Sequence, residues 1–130
     1  MWSVFLMGMD KLMMAMALEP GFVHELFSRV ADVNIAIIRR AVRAGADTIS
    51  LGDDYCGNKG SLMSPKMFRE FILPHLKRAV TAIHEEGAKC IKHCDGNIWP
   101  LLDMMIEAGI DCINPLEPVA NMDIADVKDK

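Results

Sequence analysis

Three segments between Gly45 and Asn97 are the most informative about the fold. They read GADTISLGDDY (45–55), LMSPKMFREFILPHLK (62–77) and KCIKHCDGN (89–97). Two short apolar runs, Thr48–Leu51 and Lys89–Lys92, have the length of buried parallel strands, and ionisable side chains follow each of them. Strands of a (β/α) barrel end in this way, because that fold carries its chemistry at the carboxyl ends of its strands. We therefore expect both ionisable clusters to open onto one face.

Helical patterns alternate with the apolar runs. Apolar side chains recur at helical spacing from Phe22 to about Ala44, and again after Ser64-Pro65, a pair typical of a helix start. Pro74 falls inside the second pattern and predicts a kink or break near Leu73. The remaining predictions are a loop over 52–63, a helix over 97–108, a third strand over 111–114 and a further helix from residue 123.

The order helix, glycine, strand occurs three times, at Gly45, Gly87 and Gly109. This alternation predicts an α/β fold with a parallel sheet. A complete (β/α)₈ barrel needs at least ~200 residues, whereas the chain has 130. A small α/β sandwich and a segment of a larger barrel are both open interpretations. The apolar start and the helix that begins near residue 123 favour the segment, a partial TIM barrel that forms a single domain over residues 1–130.

The composition is that of a globular protein, with 52% hydrophobic and 25% charged residues. The formal net charge of -4 gives no electrostatic reason to expect a nucleic-acid partner. Residues 1–18 are Met-rich and apolar, but Asp10 and Lys11 interrupt them, so neither a membrane span nor a signal peptide is predicted. We expect a loop and a helix there, and a cytoplasmic protein.

Cysteine usage points to a reducing compartment. The four cysteines form no Cys-x-x-Cys pair, and three of them fall in or beside predicted strands. We therefore expect small buried side chains rather than a disulfide framework.

His93 and Asp95 form the strongest candidate pair. Successive residues of a strand point to opposite sides, so these two share a side and Cys94 points away. An imidazole beside a carboxylate can bind a metal ion or act in acid–base catalysis. The structural alternative is that Asp95 orders the loop or caps the following helix.

The acids at the other strand ends are further candidates. Adjacent carboxylates at Asp53 and Asp54 can supply a general acid or hold a cation, or they can simply form a turn. Glu117 lies between Pro115 and Pro118, which could aim its carboxylate inward as a metal ligand.

Three uncharged side chains are candidates for substrate binding together with Asp53. They are Tyr55, Asn97 and Asn114. The acids and the single imidazole of His93 would form an acidic mouth, which suits a bound cation better than a polycarboxylate substrate.

These residues resemble those of the uroporphyrinogen decarboxylase family, whose superfamily also contains the methylcobalamin:coenzyme M methyltransferases. The matching features are Ala44-Gly45-Ala46-Asp47, Asp54, Ser64-Pro65 with Phe68, Phe71 and Pro74, His93 with Gly96-Asn97, and Ala108-Gly109-Ile110-Asp111. The likeness covers residues 19–130. It implies a (β/α)₈ barrel with its active site at the carboxyl ends of the strands, of which this chain would be the C-terminal half. It also favours Asp54 over Asp53 as a catalytic group.

The methyltransferase branch of that superfamily typically has His-x-Cys-Gly at the corresponding strand end, where His and Cys bind zinc. Here His93 matches, and Asp95 takes the position of the Cys. The resemblance therefore implies a zinc ion held by His93 and Asp95, and a corrinoid presented by a partner protein. A later Cys completes the zinc site in that branch, and Glu117 is our candidate for the third ligand here.

Three functional hypotheses remain open. The acidic mouth favours metal-assisted methyl transfer on a tetrapyrrole or corrinoid-linked substrate, with Asp54, His93 and Asp95 as the catalytic residues. The alternatives are uroporphyrinogen decarboxylation and a non-catalytic half barrel that functions through assembly. We expect a small-molecule or corrinoid-protein substrate, and a second copy or the remainder of the barrel as partner.

Overall fold

A computed structural model describes residues 2–130. Its α-helices are α1 (Trp2–Met7), α2 (Met9–Leu18), α3 (Pro20–Arg43), α4 (Pro65–Met67), α5 (Leu73–Glu85), α6 (Trp99–Glu107) and α7 (Ile124–Lys128). Its strands are β1 (Thr48–Gly52), β2 (Cys56–Gly57), β3 (Gly60–Ser61), β4 (Lys89–His93) and β5 (Cys112–Asn114). A π-helical turn, Phe68–Ile72, joins α4 to α5, and a 3₁₀ turn, Pro118–Ala120, precedes α7.

The main sheet is parallel, as the alternation of strands and helices predicts. Its strand order is β1-β4-β5, with Leu51 opposite Lys92 and Lys92 opposite Ile113. Helix α5 lies in the connection from β1 to β4, and α6 in the connection from β4 to β5. The sheet has three strands and does not close, so β1 and β5 are both edges. The fold is therefore α/β and consistent with part of a TIM barrel.

The two faces of the sheet differ in burial. Cys90 and Lys92 of β4 are buried on one face, which packs against apolar side chains of α5 and α6. These are Leu76, Val80, Ile83, Leu101, Leu102 and Met105. On the opposite face, Ser50 and Asn114 are exposed and His93 is half-buried. Because helices surround a TIM barrel on the outside, the open face corresponds to a barrel interior.

The start of the chain is more helical than we expected. Residues 1–18 were predicted to form a loop and a helix, but α1 and α2 together cover residues 2–18, apart from Gly8 between them. Gly8 has a positive φ of 83°, which glycine adopts without strain. A second core forms where these helices meet α3 and the π-helical turn, around Leu12, Val23 and Phe71. The prediction for Met1 lies outside the described residues.

The second helix begins as predicted but is not divided near Leu73, because α4, the π-helical turn and α5 form one continuous helical run over residues 65–85. The Ser64 hydroxyl accepts a hydrogen bond from the Met67 N–H at 3.2 Å, as expected of an N-cap. Pro74 is the second residue of α5, directly after the π-helical turn ends at Ile72. The Leu73 N–H donates to the Phe68 carbonyl, five residues earlier, and this wider turn accommodates a proline, which has no N–H to donate.

Some boundaries differ from the predictions. The segment 52–63 is not only a loop, because β2 and β3 pair within it as a short antiparallel hairpin. Helix α6 begins at Trp99 rather than Asn97, and β5 begins at Cys112 rather than Asp111. Short pairs such as Cys56–Gly57 with Gly60–Ser61 carry too few residues for alternation to show in a sequence.

Three of the four cysteines, Cys56, Cys90 and Cys94, are buried, and all four are free thiols. Cys112 is exposed, which departs from the expectation of burial. Within residues 2–130, no helix combines the length and hydropathy needed to cross a bilayer.

Candidate functional site

The ends of β1 and β4 bring three ionisable side chains together. The His93 Nε2 atom lies 3.7 Å from Asp54 Oδ1 and 3.5 Å from Asp95 Oδ1. Potential ligand atoms of the three residues all lie within 4.8 Å of one another. The two clusters that the sequence placed at separate strand ends therefore do share one face.

Backbone contacts hold this group in place. The Asp95 N–H donates a hydrogen bond to Asp54 Oδ1 at 3.0 Å, which ties the two strand ends together. Cys94 lies between His93 and Asp95 in sequence, and its side chain is fully buried on the other side of the chain. Its N–H donates to the Asn114 carbonyl at 2.9 Å. The predicted alternation of His93 and Asp95 against Cys94 is thus present.

The three side chains are accessible from the open face of the sheet. Their exposed fractions lie between 40% and 51%. One imidazole nitrogen and two carboxylate oxygens form a donor set that suits Zn²⁺ or a harder divalent cation. The same three groups can also exchange a proton with a molecule bound at this face.

Glu117 and Asn97 have structural partners at the neighbouring loop. Glu117 Oε2 accepts a hydrogen bond from the Gly96 N–H at 2.6 Å, and Glu117 is not part of the three-residue group. The sequence grouped it with His93 and Asp95, whereas the structure places Asp54 there. Asn97 Oδ1 accepts a hydrogen bond at 3.2 Å from the N–H of Trp99, the first residue of α6.

The other predicted substrate-binding residues are divided between the two sides of the sheet. Asn114 pairs in register with His93 and is exposed on the same face. The Tyr55 ring instead packs edge-to-face against Phe68 at 5.2 Å, so its position favours core packing. Burial raises the pKa of Tyr55 well above its usual range, and the charge of Asp53 adds to this effect.

Sequence reasoning missed Lys92. In the sequence it is the last residue of the apolar run Lys89–Lys92, with no predicted role. In the structure its side chain is 1% exposed, and its ammonium lies 4.5 Å from the centre of the Tyr55 ring. Burial lowers the pKa of Lys92, while the nearby groups of Cys94 and Asp53 act in the opposite direction. The alternation of side chains along a strand could have indicated this burial. Lys92 follows Cys90 by two residues, so both side chains lie on the helix-facing side of β4.

A pair of buried thiols lies behind the strand-end group. A hydrogen bond from Cys56 lowers the pKa of Cys94 to about 7, although burial acts against this. The same hydrogen bond, together with burial, raises the pKa of Cys56. The Tyr55 N–H also donates to Cys94 Sγ at 3.4 Å. These contacts fix the loop that follows β1.

The comparison with family models decides the family. The model described as uroporphyrinogen decarboxylase (URO-D) matches residues 3–129. The chain belongs to the uroporphyrinogen decarboxylase family. The match takes in most of the Met-rich segment, so the family likeness extends further toward the N-terminus than the motifs after residue 19 indicated.

Curated relatives agree with this family. The chain is 36% identical over 95 residues to a uroporphyrinogen decarboxylase of Nocardia farcinica, which covers 73% of this chain and 25% of that protein. It is 34% identical over 96 residues to one of Rhodococcus opacus, and 32% identical over 93 residues to one of Mycobacterium tuberculosis. In both cases the match covers 25% of the relative's length. No solved structure matches the chain significantly.

The matches bear on the expectations from sequence in two ways. The matched part covers about a quarter of each relative's length, which is less than the half barrel that the motifs suggested. The matching relatives are decarboxylases by name, so methyl transfer, the reaction that the acidic mouth favoured, is not supported by them. Within the uroporphyrinogen decarboxylase family, the decarboxylation hypothesis fits better.

Proposed function

We propose that the chain contributes one part of an active site that decarboxylates a uroporphyrinogen-type tetrapyrrole. The observation that carries the proposal is the group of Asp54, His93 and Asp95 at the carboxyl ends of two parallel strands. It lies on the face that would line a barrel, where enzymes of this architecture carry out their chemistry. The family match supplies the reaction class.

The chemistry needs one proton for each carboxyl group that is lost. The bond between the side-chain methylene and its carboxylate breaks, carbon dioxide leaves, and a proton takes its place, so that –CH₂–COO⁻ and H⁺ become –CH₃ and CO₂. In this proposal His93 delivers the proton, since histidine exchanges protons near neutral pH. Asp54 and Asp95, each within 3.7 Å of Nε2, orient the ring and stabilise its protonated form.

The charge of the site sets a requirement for the rest of the barrel. A tetrapyrrole with several carboxylates would be repelled by Asp54 and Asp95 unless cations lay nearby. All six arginines of the chain are on α3, the π-helical turn or α5, away from the strand ends. We therefore propose that the part of the family barrel outside the matched quarter supplies the cationic groups that bind the substrate carboxylates.

The proposal is tested by product analysis. Purified chain is incubated with reduced uroporphyrinogen without oxygen, alone and with the remaining part of the Nocardia farcinica relative, and the products are analysed by mass spectrometry for lost carboxyl groups. His93→Gln should lower the rate by about 100-fold or more, whereas the control His24→Gln on α3 should not. No product in either mixture, or full activity of His93→Gln, would contradict the proposal.

A divalent cation at the same group is a second candidate, favoured by the donor set itself. Such an ion, held by Asp54, His93 and Asp95, would offset the negative charge at the mouth. Its chemistry would be that of a Lewis acid, which is also what methyl transfer to an activated acceptor would need. Calorimetric titration of the chain with Zn²⁺ tests this candidate separately from decarboxylation.

The open edges of the sheet also favour assembly. Strands β1 and β5 each present one side without a strand partner among the described residues. Free edges of parallel strands are normally covered by another strand or chain. We propose that a second copy, or the remainder of the barrel, covers them. A monomeric, fully folded species in sedimentation velocity over a wide range of protein concentration would contradict this.

A further inference from the structure

Lys92 is a charged side chain in the apolar core. Its exposed fraction is 1%, and it lies on the face of β4 that packs against the helices. Placing an ammonium group in such surroundings is costly unless its donors are satisfied. An apolar side chain at this position would avoid that cost. We therefore look for a role of Lys92 that depends on its charge and its hydrogen-bond donors.

The donors of Lys92 are all used, and each acceptor lies at a strand end. The ammonium donates to the carbonyls of Asp53 at 2.8 Å and Leu51 at 3.3 Å, and also to the carbonyl of His93. A lysine has three N–H donors, so these three acceptors satisfy it. Two of the carbonyls belong to the end of β1 and its loop, and the third to the end of β4.

We propose that Lys92 is a positioning residue for the strand-end site. Its ammonium holds the end of β1, which carries Asp54, against the end of β4, which carries His93. The distance of 3.7 Å between His93 Nε2 and Asp54 Oδ1 then depends on a clamp on the opposite side of the sheet. The chemical purpose of this clamp rests on the proposed function, but the clamp itself does not.

The Tyr55 ring completes the clamp. It lies over the ammonium at 4.5 Å and packs against Phe68, so the ammonium has an aromatic face on one side and carbonyl oxygens on the other. An aromatic face attracts a cation more strongly where water is excluded. Lys92 is therefore held in one place, as a positioning role requires.

The experiment compares two backbone amides by hydrogen exchange. The Asp95 N–H donates to Asp54 across the site, and the Lys89 N–H donates to the Asp47 carbonyl at the other end of β4. The Lys92→Met variant keeps a side chain of similar length but removes its hydrogen-bond donors. In this variant the exchange rate of the Asp95 amide should rise about tenfold relative to that of the Lys89 amide. The control Cys90→Ala leaves a cavity on the same face of the strand but next to Lys89, so it should not raise Asp95 exchange relative to Lys89 exchange.

A measurement on the unaltered chain covers the case in which Lys92→Met does not fold. The side-chain ammonium signal of Lys92 should exchange its protons with water far more slowly than that of exposed Lys59 in ¹⁵N NMR spectra. Equal exchange at Lys92 and Lys59, or equal changes at the Asp95 and Lys89 amides in Lys92→Met, would overturn the proposal.

Activity assays separate this inference from the proposed reaction. If the Asp95 amide loosens in Lys92→Met but the unaltered chain forms no decarboxylated product, either alone or with the remaining part of the Nocardia farcinica relative, the clamp stands and the decarboxylase proposal fails. If the unaltered chain is active and the loosened Lys92→Met variant keeps the same kcat, the positioning role is overturned.

Discussion

The N–H of Asp95 donates a hydrogen bond to Asp54 Oδ1 at 3.0 Å, across 41 positions of sequence. This bond gives the Asp54 carboxylate a fixed direction, because one oxygen is held by the backbone of the neighbouring strand end. The same oxygen lies 3.7 Å from His93 Nε2. Two carboxylates therefore lie near the same imidazole nitrogen, and the position of the Asp54 carboxylate depends on the parallel register of β1 and β4.

Gly96 is the position in the site loop that should tolerate substitution least. It has a φ of 86°, and a Cβ placed there would lie 2.7 Å from the carbonyl carbon and oxygen of Gly57. Gly96→Ala should therefore lower the free energy of unfolding by at least about 1–3 kcal/mol, the usual cost of such a strained backbone. Denaturant unfolding followed by circular dichroism measures this.

Gly87 supplies the matched control for that substitution. It has the same φ of 86°, but a Cβ there would meet no atom within 4 Å. Gly87→Ala should carry only the backbone strain, so it should cost less than Gly96→Ala. Equal losses in the two variants would show that the close approach of Gly57 has no energetic consequence.

Asp111 should make stability depend on acid. The Cys90 N–H, the Lys89 ammonium and the His84 ring all contact its carboxylate and hold its pKa far below the usual range. The unfolded chain, with an ordinary Asp pKa of about 3.9, then takes up its proton first as pH falls. The stability from this group is complete above about pH 4 and is lost progressively below it.

The variant Asp111→Asn should therefore be less stable than the unaltered chain at neutral pH, and the difference should shrink below about pH 4. Urea unfolding at a series of pH values measures both trends. Some acid dependence should persist, because Arg43 lowers the pKa of Glu86, and Lys77 that of Glu107. A difference that is constant over the whole pH range would contradict the role of the carboxylate charge.

A divalent cation should bind at the strand-end group if the donor set of Asp54, His93 and Asp95 acts as a metal site. Titration of the chain with Zn²⁺ in a calorimeter should give one ion per chain, and His93→Ala should remove that binding. The control is His24→Ala, because His24 lies on α3 beside Glu70 at 3.7 Å and away from the group. Binding that persists unchanged in His93→Ala would assign the ion to another place.

The four thiols should differ in reactivity according to burial. Cys112 is exposed, whereas Cys56, Cys90 and Cys94 are buried. Although its pKa of about 7 favours the reactive thiolate, Cys94 is shielded from reagents. Brief treatment with iodoacetamide, followed by peptide mass spectrometry, should label Cys112 first and the others only after denaturation. Labelling of Cys94 as fast as Cys112 would show that the site loop opens readily.

The family motifs acquire physical meanings once the fold is known. The glycine of the repeated helix–glycine–strand pattern has a positive φ at Gly45, Gly87 and Gly109, as the end of each helix requires. The acid that follows Gly109 is Asp111, whose carboxylate accepts the Cys90 N–H of the neighbouring strand. These residues hold the amino ends of the strands, at the opposite end from the candidate site.

Local pattern was enough to predict much of this protein. The three strands of the main sheet, the helix start at Ser64 and the common side of His93 and Asp95 were all predicted from residues close together in sequence, and the structure confirms them. Such features depend on periodicity, on proline's missing N–H and on glycine's φ, which act over a few residues. Parallel alternation also placed the ends of β1 and β4 on one face, because the strands of the main sheet all run the same way.

Which distant groups lie together depends on the tertiary structure. It placed Asp54 rather than Glu117 beside His93 and Asp95, and it turned Lys92 from the end of an apolar run into a buried cation with three carbonyl acceptors. The sequence carries no measure of such distances. Whether a carboxylate reaches an imidazole or a backbone N–H depends on the register of β1 against β4 and on the path of the loops between them, which are settled only when the whole core packs.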